Sequence, residues 1–168
     1  MKNSLERTLV LLKPDAIKRG LVGEIISRFE KTGLKIAGLK LVWSDQDTAL
    51  KHYNEDLAKR RGQKVRDLMV EMITSGPVIA LAIEGVEAVE VVRKMVGETE
   101  PKSAAPGTIR GDYAHLSFQY ADHKKAAVFN LIHASADLKD AQLEVSLWFQ
   151  DFELQDYQSE HTKYTTLN

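Results

Sequence analysis

Cysteine is absent from this 168-residue chain, which excludes disulfides, thiolate nucleophiles and cysteine-bound zinc and suits a reducing cytoplasm. Long hydrophobic runs are missing as well. The one near the start, Leu9 to Leu12, is far too short for a signal-peptide core or a membrane span, so a soluble cytoplasmic protein without membrane contact is expected. Net charge is nearly nil, −1 from 23 basic and 24 acidic residues, and no broad field exists to hold nucleic acid as a main partner. Any phosphate must be met by local basic groups. The P-loop G-x-x-x-x-G-K-[ST] and the dinucleotide G-x-G-x-x-G are both lacking, as are H-E-x-x-H and the protein-kinase H-R-D and D-F-G signatures.

What the chain does have is 43% hydrophobic residues, enough for one compact domain, set here at residues 1–149, followed by a polar tail at 150–168. Thr8 to Lys13 reads as a buried strand ending at Pro14, and Leu21, Val22, Ile25, Ile26 and Phe29 mark a helix that stops at Gly33. Leu34 to Trp43 reads as a second strand, with Lys35, Ala37, Leu39, Leu41 and Trp43 on one side. Asp45 or Asp47 caps a helix through Leu57, and Val65, Leu68, Met69, Met72 and Ile73 define another that closes at Ser75-Gly76-Pro77. Val78 to Ile83 is a buried strand, and Val86, Val89, Val92, Met95 and Val96 form a helical stripe ending at Gly97.

The stretch from Gly97 to Asp112 is a long glycine- and proline-bearing loop, of the kind that carries function. Tyr113 to Tyr120 and Ala126 to Ile132 read as one interrupted strand or a hairpin. Asp137 caps a short helix through Leu143, and the tail from Gln150 is placed along a surface or a neighbouring subunit. The order β-α-β, helical insert, β-α-β matches an α+β, ferredoxin-like βαββαβ plan: a four-stranded antiparallel sheet with helices packed on one face.

Candidate chemistry lies at element ends. Lys13 closes the first strand, Arg93 precedes the long loop, and Arg110 lies within it, where Gly107 and Gly111 let backbone come close and a planar guanidinium suits an oxyanion. Of five histidines, none has spacing that compels a metal site. His133 lies behind an apolar pair in N-L-I-H-A-S-A-D. A neutral imidazole attacks phosphorus readily if an acceptor fixes its second nitrogen, and Glu144 is the nearby carboxylate. Taken alone, spacing favours a packed His133 and a surface Glu144.

Together, however, the blocks L-L-K-P-D-A-I-K-R-G-L-V-G-E-I-I, H-Y, S-G-P-V, G-E-T-E-P, P-G-T-I-R-G-D, N-L-I-H-A-S and S-L-W-F resemble nucleoside diphosphate kinases in order and wording, over roughly Arg7 to Phe149. The resemblance implies ping-pong transfer of a γ-phosphoryl group from a nucleoside triphosphate to a nucleoside diphosphate through Nδ1 of His133, with Glu144 orienting the imidazole. It implies further that Lys13 contacts sugar hydroxyl and terminal phosphate, and that Asn130 holds the ribose. Tyr53 and Ser135 would stand beside the histidine, and Arg93, Thr99 and Arg110 would bind phosphate. Mg²⁺ would arrive with the nucleotide, and the assembly would be a homo-oligomer, hexamer or tetramer.

Some positions differ from the family's pattern. Val65 stands where an aromatic usually stacks on the base, with Met69 at the apolar contact that follows. Asn54 to Lys64 is about four residues longer than in common members, and Ser117 to Val128 holds about ten extra. The usual H-G-S-D is H-A-S-A, so Ala134 replaces a glycine and Ala136 a carboxylate. These changes motivate an alternative, a nucleotide-binding regulatory scaffold with weak or lost turnover.

Overall fold

The computed structural model describes residues 5–166; residues 1–4 of the expected domain and 167–168 of the expected tail lie outside it. Four strands, β1 (Leu5–Leu12), β2 (Lys35–Trp43), β3 (Pro77–Val86) and β4 (Ile132–Ala134), form an antiparallel sheet in the order β2-β3-β1-β4. This is the ferredoxin-like arrangement expected. One element of the expectation changes: helices cover both faces of the sheet, not one. Leu9 to Leu12 are all fully buried, and a strand with no polar alternation needs cover on each side. On one face α2 (Val22–Lys31) and α6 (Ala88–Val96) pack with Val10, Leu12, Leu81 and Ile83; on the other, α3 (Gln46–His52), α5 (Gln63–Thr74) and α9 (Leu138–Trp148) pack with Leu9, Leu11, Ala80 and Ala82.

Local chemistry sets the boundaries. Pro14 not only ends the strand but opens the short helix α1 (Pro14–Lys18), where its missing N–H has no partner to lose. Asp45, not Asp47, caps α3 by accepting from the Thr48 N–H at 2.7 Å. The helix foreseen through Leu57 breaks at Tyr53, because Asn54 caps a new one, α4 (Glu55–Arg61), and Gly62 at φ +92 separates that from α5. A bulge between Ile36 and Gly38 puts Ala37 on the α3 and α5 side, so it does not share a face with Leu39, Leu41 and Trp43 as the alternation suggested. Val86 likewise belongs to β3 rather than to the helical stripe.

The largest correction concerns residues 113–132. Neither an interrupted strand nor a hairpin forms: α7 (Ile109–Tyr113) and α8 (Phe118–His123) occupy the first part, and only Ile132–Ala134 joins the sheet. Ser117 drives this locally, its hydroxyl accepting from the Tyr120 N–H and capping α8. The lengthened segment 54–64 and the extra residues of 117–128 meet, since the Arg61 guanidinium lies 6.0 Å over the Phe118 ring. Asp137 caps α9 as foreseen, but that helix runs on to Trp148.

Beyond it the tail folds over its own β2. The Gln155 N–H donates to the Ala37 carbonyl at 2.7 Å, the Tyr157 hydroxyl donates to Ile36, and Lys40 pairs with Glu153. Among the described residues no helix is long and apolar enough to cross a membrane.

Candidate active site

A cavity of about 690 Å³ opens between α5, α6, the loop after α6 and β4, and its lining includes Lys13, Tyr53, Met69, Arg93, Thr99, Arg110, Asn130 and His133. Eight of the eleven candidate site residues therefore converge. Glu144 and Ser135 stand behind His133, and Val65 does not line the cavity, being 38% exposed on the first turn of α5.

Pairing of β4 with β1 places His133 opposite Leu11 and Ala134 opposite Val10. Ala134 has ordinary strand backbone, so the missing glycine costs nothing, and the carboxylate absent at Ala136 is supplied one residue later by the Asp137 cap. From α9, Glu144 Oε2 accepts from His133 Nε2 at 2.9 Å and from the Ser135 hydroxyl at 2.6 Å. Burial pushes the Glu144 carboxyl up, but the charge and hydrogen bond of His133, with smaller help from His52 and Ser135, outweigh it and hold the group at about 2. A carboxylate can only accept, which fixes the imidazole proton on Nε2 and leaves a lone pair on Nδ1. Nδ1 has no hydrogen-bond partner among the described residues.

His52 shapes the floor, a role its sequence context did not announce. Its buried ring meets His133 edge-to-face at 4.4 Å, and its Nδ1 accepts from the Trp148 indole N–H at 3.3 Å. Burial, then the neighbouring His133, lowers it to about 3, so it is a neutral wall at physiological pH. His52, His133 and Glu144 are close enough to suggest a metal cluster, yet Trp148 uses His52 Nδ1 and Glu144 is committed to His133 and Ser135. Mg²⁺ prefers an octahedron of oxygens, which this set does not offer.

The cationic side is built from Lys13, Arg93 and Arg110. Lys13 is buried and donates to Asn130 Oδ1 at 2.6 Å; burial and then the Arg110 charge pull its ammonium down to about 7, against the opposing pull of Asp15. Arg110 differs from a free phosphate ligand. Its Nε donates to Asn130, Nη1 to Gly97 and Nη2 to Ile132, all backbone carbonyls, at 3.2, 2.8 and 2.6 Å. Burial and the Arg93 charge lower it to about 10, so it remains charged near neutrality. The loop carrying it closes tightly because residue 111 is glycine: a Cβ there would lie 2.0 Å from the Ala105 carbonyl oxygen. Arg28 of α2 binds Asp112 and Tyr113 and fixes the far end of α7.

Between Asn130 and Ile132 the chain turns abruptly. The Ile132 N–H donates to the Asn130 carbonyl at 2.8 Å across Leu131, whose φ is +70, the rare strained form of γ-turn. A buried leucine held there costs about 1–3 kcal/mol. The turn carries the Asn130 amide toward Lys13 and Thr99 and delivers His133 to the strand.

The fold and the site together define a class: a ferredoxin-like domain with a fixed imidazole, one nitrogen braced and the other available, beside a cationic cavity large enough for a nucleotide. The chain belongs to the nucleoside diphosphate kinase family, whose model matches residues 6–154. It is 45% identical over 154 residues to a nucleoside diphosphate kinase of Borreliella burgdorferi, spanning 91% of this chain and 92% of that one. It is 50% identical over 155 residues to one from Pyrococcus furiosus, with 92% and 89% covered. A structure described as a transition-state mimic of the Borrelia burgdorferi kinase, with bound vanadate and ADP, superposes with a TM-score of 0.95 at 42% identity, covering 97% of this chain and 98% of that one.

Proposed function

We propose that the protein transfers the γ-phosphoryl group of a nucleoside triphosphate such as ATP to a nucleoside diphosphate in two half-reactions through His133. The observation that carries this reading is the Glu144 bond to Nε2, which leaves the Nδ1 lone pair for the phosphate. Nδ1 bonds to the γ-phosphorus as the bridging P–O bond breaks, and the electron pair leaves with the nucleoside diphosphate. The Nε2 proton stays against Glu144 throughout. A second diphosphate then attacks phosphohistidine by the reverse path, restoring the lone pair.

In such loose phosphoryl transfer, placement and charge stabilisation supply most of the acceleration. Lys13 and Arg93 offer free donors at the cavity, and Arg110 offers the N–H groups its carbonyls leave over. Thr99 and Asn130 hold phosphate and ribose, while Tyr53 and Ser135 support the histidine. Met69 gives the base an apolar surface. Mg²⁺ would enter as part of the nucleotide and would neutralise phosphate charge; Glu90 and Glu98 at the cavity wall are too few to form a cage of their own. Residues 1–149 are the catalytic domain and 150–168 a tail whose segment 153–157 straps β2, in a cytoplasmic homo-oligomer. Assembly is supported by β2, an edge strand with Leu39, Leu41 and Trp43 exposed at 53%, 63% and 69%.

The test is to incubate the intact protein with Mg²⁺-ATP and search for an acid-labile, base-stable phosphate that nucleoside diphosphates discharge. An adduct that no diphosphate removes would favour the regulatory scaffold, and no adduct at all would defeat the mechanism.

Lys13 gives a second expected result. With its ammonium at about 7, part of the population is neutral above pH 7, and an incoming phosphate raises that value. Nucleotide binding at pH 7.5–8.5 is therefore accompanied by proton uptake, read by calorimetry in buffers of different ionisation enthalpy. Proton release, or no uptake, contradicts the placement of Lys13 against phosphate.

A further inference from the structure

We infer that Asp15 is a positioning residue for phosphoryl transfer, acting by pinning the strained turn at Leu131 that aims Asn130 and His133. The inference rests on His133 being the proposed nucleophile.

The three carbonyls of this turn are held from outside. Arg110 binds the Asn130 and Ile132 carbonyls, and the Lys13 N–H donates to the Leu131 carbonyl at 2.8 Å. The N–H of its central residue, Leu131, donates to Asp15 Oδ2 at 3.0 Å. Lys13, Pro14 and Asp15 thus act as a two-pronged grip on one residue, with proline between the prongs limiting backbone freedom. The third contact from the same segment is the Lys13 ammonium on the Asn130 side chain.

Leu131 is fully buried, so its N–H cannot turn to solvent if Asp15 is removed. An unpaired buried donor and an unfavourable φ then act in the same direction, toward relaxation of the turn. Arg110 cannot compensate, because it only donates and the lost partner was an acceptor. His133 lies two residues on and would be displaced relative to a phosphate held by groups elsewhere in the cavity. Sequence blocks give Asp15 no role of this kind, and it does not line the cavity.

The experiment measures single-turnover phosphorylation of the full chain at saturating Mg²⁺-ATP, for the wild type, Asp15→Ala, Asp15→Asn, Leu131→Gly and the Asp15→Ala/Leu131→Gly double variant. Asp15→Ala is expected to slow the step roughly 10- to 100-fold, the scale of a small misplacement of reacting atoms. Asp15→Asn retains an acceptor oxygen and restores most of the rate. Glycine adopts positive φ without strain, so Asp15→Ala costs much less in the Leu131→Gly background. Equal losses in both backgrounds, or a lowered Tm with an unchanged rate, would overturn the proposal.

If Leu131→Gly does not fold, amide exchange decides. The Leu131 N–H should be protected in wild type and Asp15→Asn but not in Asp15→Ala, and equal protection in all three overturns the pinning. A wild type that forms no phosphoenzyme rejects the proposed function instead, which keeps the two failures distinct.

Discussion

Replacing His133 with alanine is expected to abolish phosphoenzyme formation and to reduce nucleotide-to-nucleotide transfer by roughly 10⁴-fold or more, as removal of a covalent nucleophile does elsewhere. The fold should survive, because His133 is only half-buried and its neighbours on β1 remain paired. Nucleotide affinity should change little, since Lys13, Arg93 and Arg110 stay in the cavity wall. Mass spectrometry of the intact chain and a coupled transfer assay read the two quantities. An undiminished adduct on the alanine variant would place the nucleophile elsewhere.

Glu144→Ala carries the second-largest effect, and it acts through the tautomer. Without the carboxylate, no acceptor favours the proton on Nε2, and the fraction of imidazole presenting an Nδ1 lone pair falls while its ring is freed to rotate. A loss in kcat on the order of 10²-fold is expected, with KM for nucleotides far less altered. Stability falls too, by about 1–3 kcal/mol, since the Ser135 hydroxyl and the His133 N–H lose their common acceptor. Stopped-flow phosphorylation and thermal unfolding separate the two consequences. Unchanged phosphorylation by the alanine variant would remove Glu144 from the mechanism.

Much of the site was legible because its residues fall in short, specific blocks. K-P-D, T-I-R-G-D and N-L-I-H-A-S each bring a charged or nucleophilic side chain to an element end, and the structure gathers Lys13, Arg110, Asn130 and His133 at one cavity. Helices α2, α5 and α6 were legible from apolar spacing, and the start of α9 from its Asp137 cap. What periodicity could not reveal were backbone demands. Positive φ at Leu131 breaks the usual preference for glycine, so no sequence signal marks that turn. Two of its carbonyls are met by Arg110 and the third by the Lys13 N–H, and β4 is three residues long where a longer run was expected.

Arg110 shows a related limit. A sequence reading sees an available guanidinium, whereas three of its donors are already engaged in holding the backbone. His52 was passed over because its importance lies in a ring contact between residues far apart in the chain. Val65 was assigned by counting back along α5; it shares a helix face with Met69, but lying one turn nearer the N-terminus it falls outside the cavity that Met69 lines.

The contact of Arg61 with Phe118 joins the two stretches that the sequence pattern marks as longer than usual. Two separated pieces of sequence thus meet at one surface contact. Trimming α4 alone would strip the cation from an aromatic surface, and trimming α8 alone would leave the basic end of α4 without that surface. A chimera that exchanges these regions with a shorter relative should move both together, treating residues 54–64 and 117–128 as a single part.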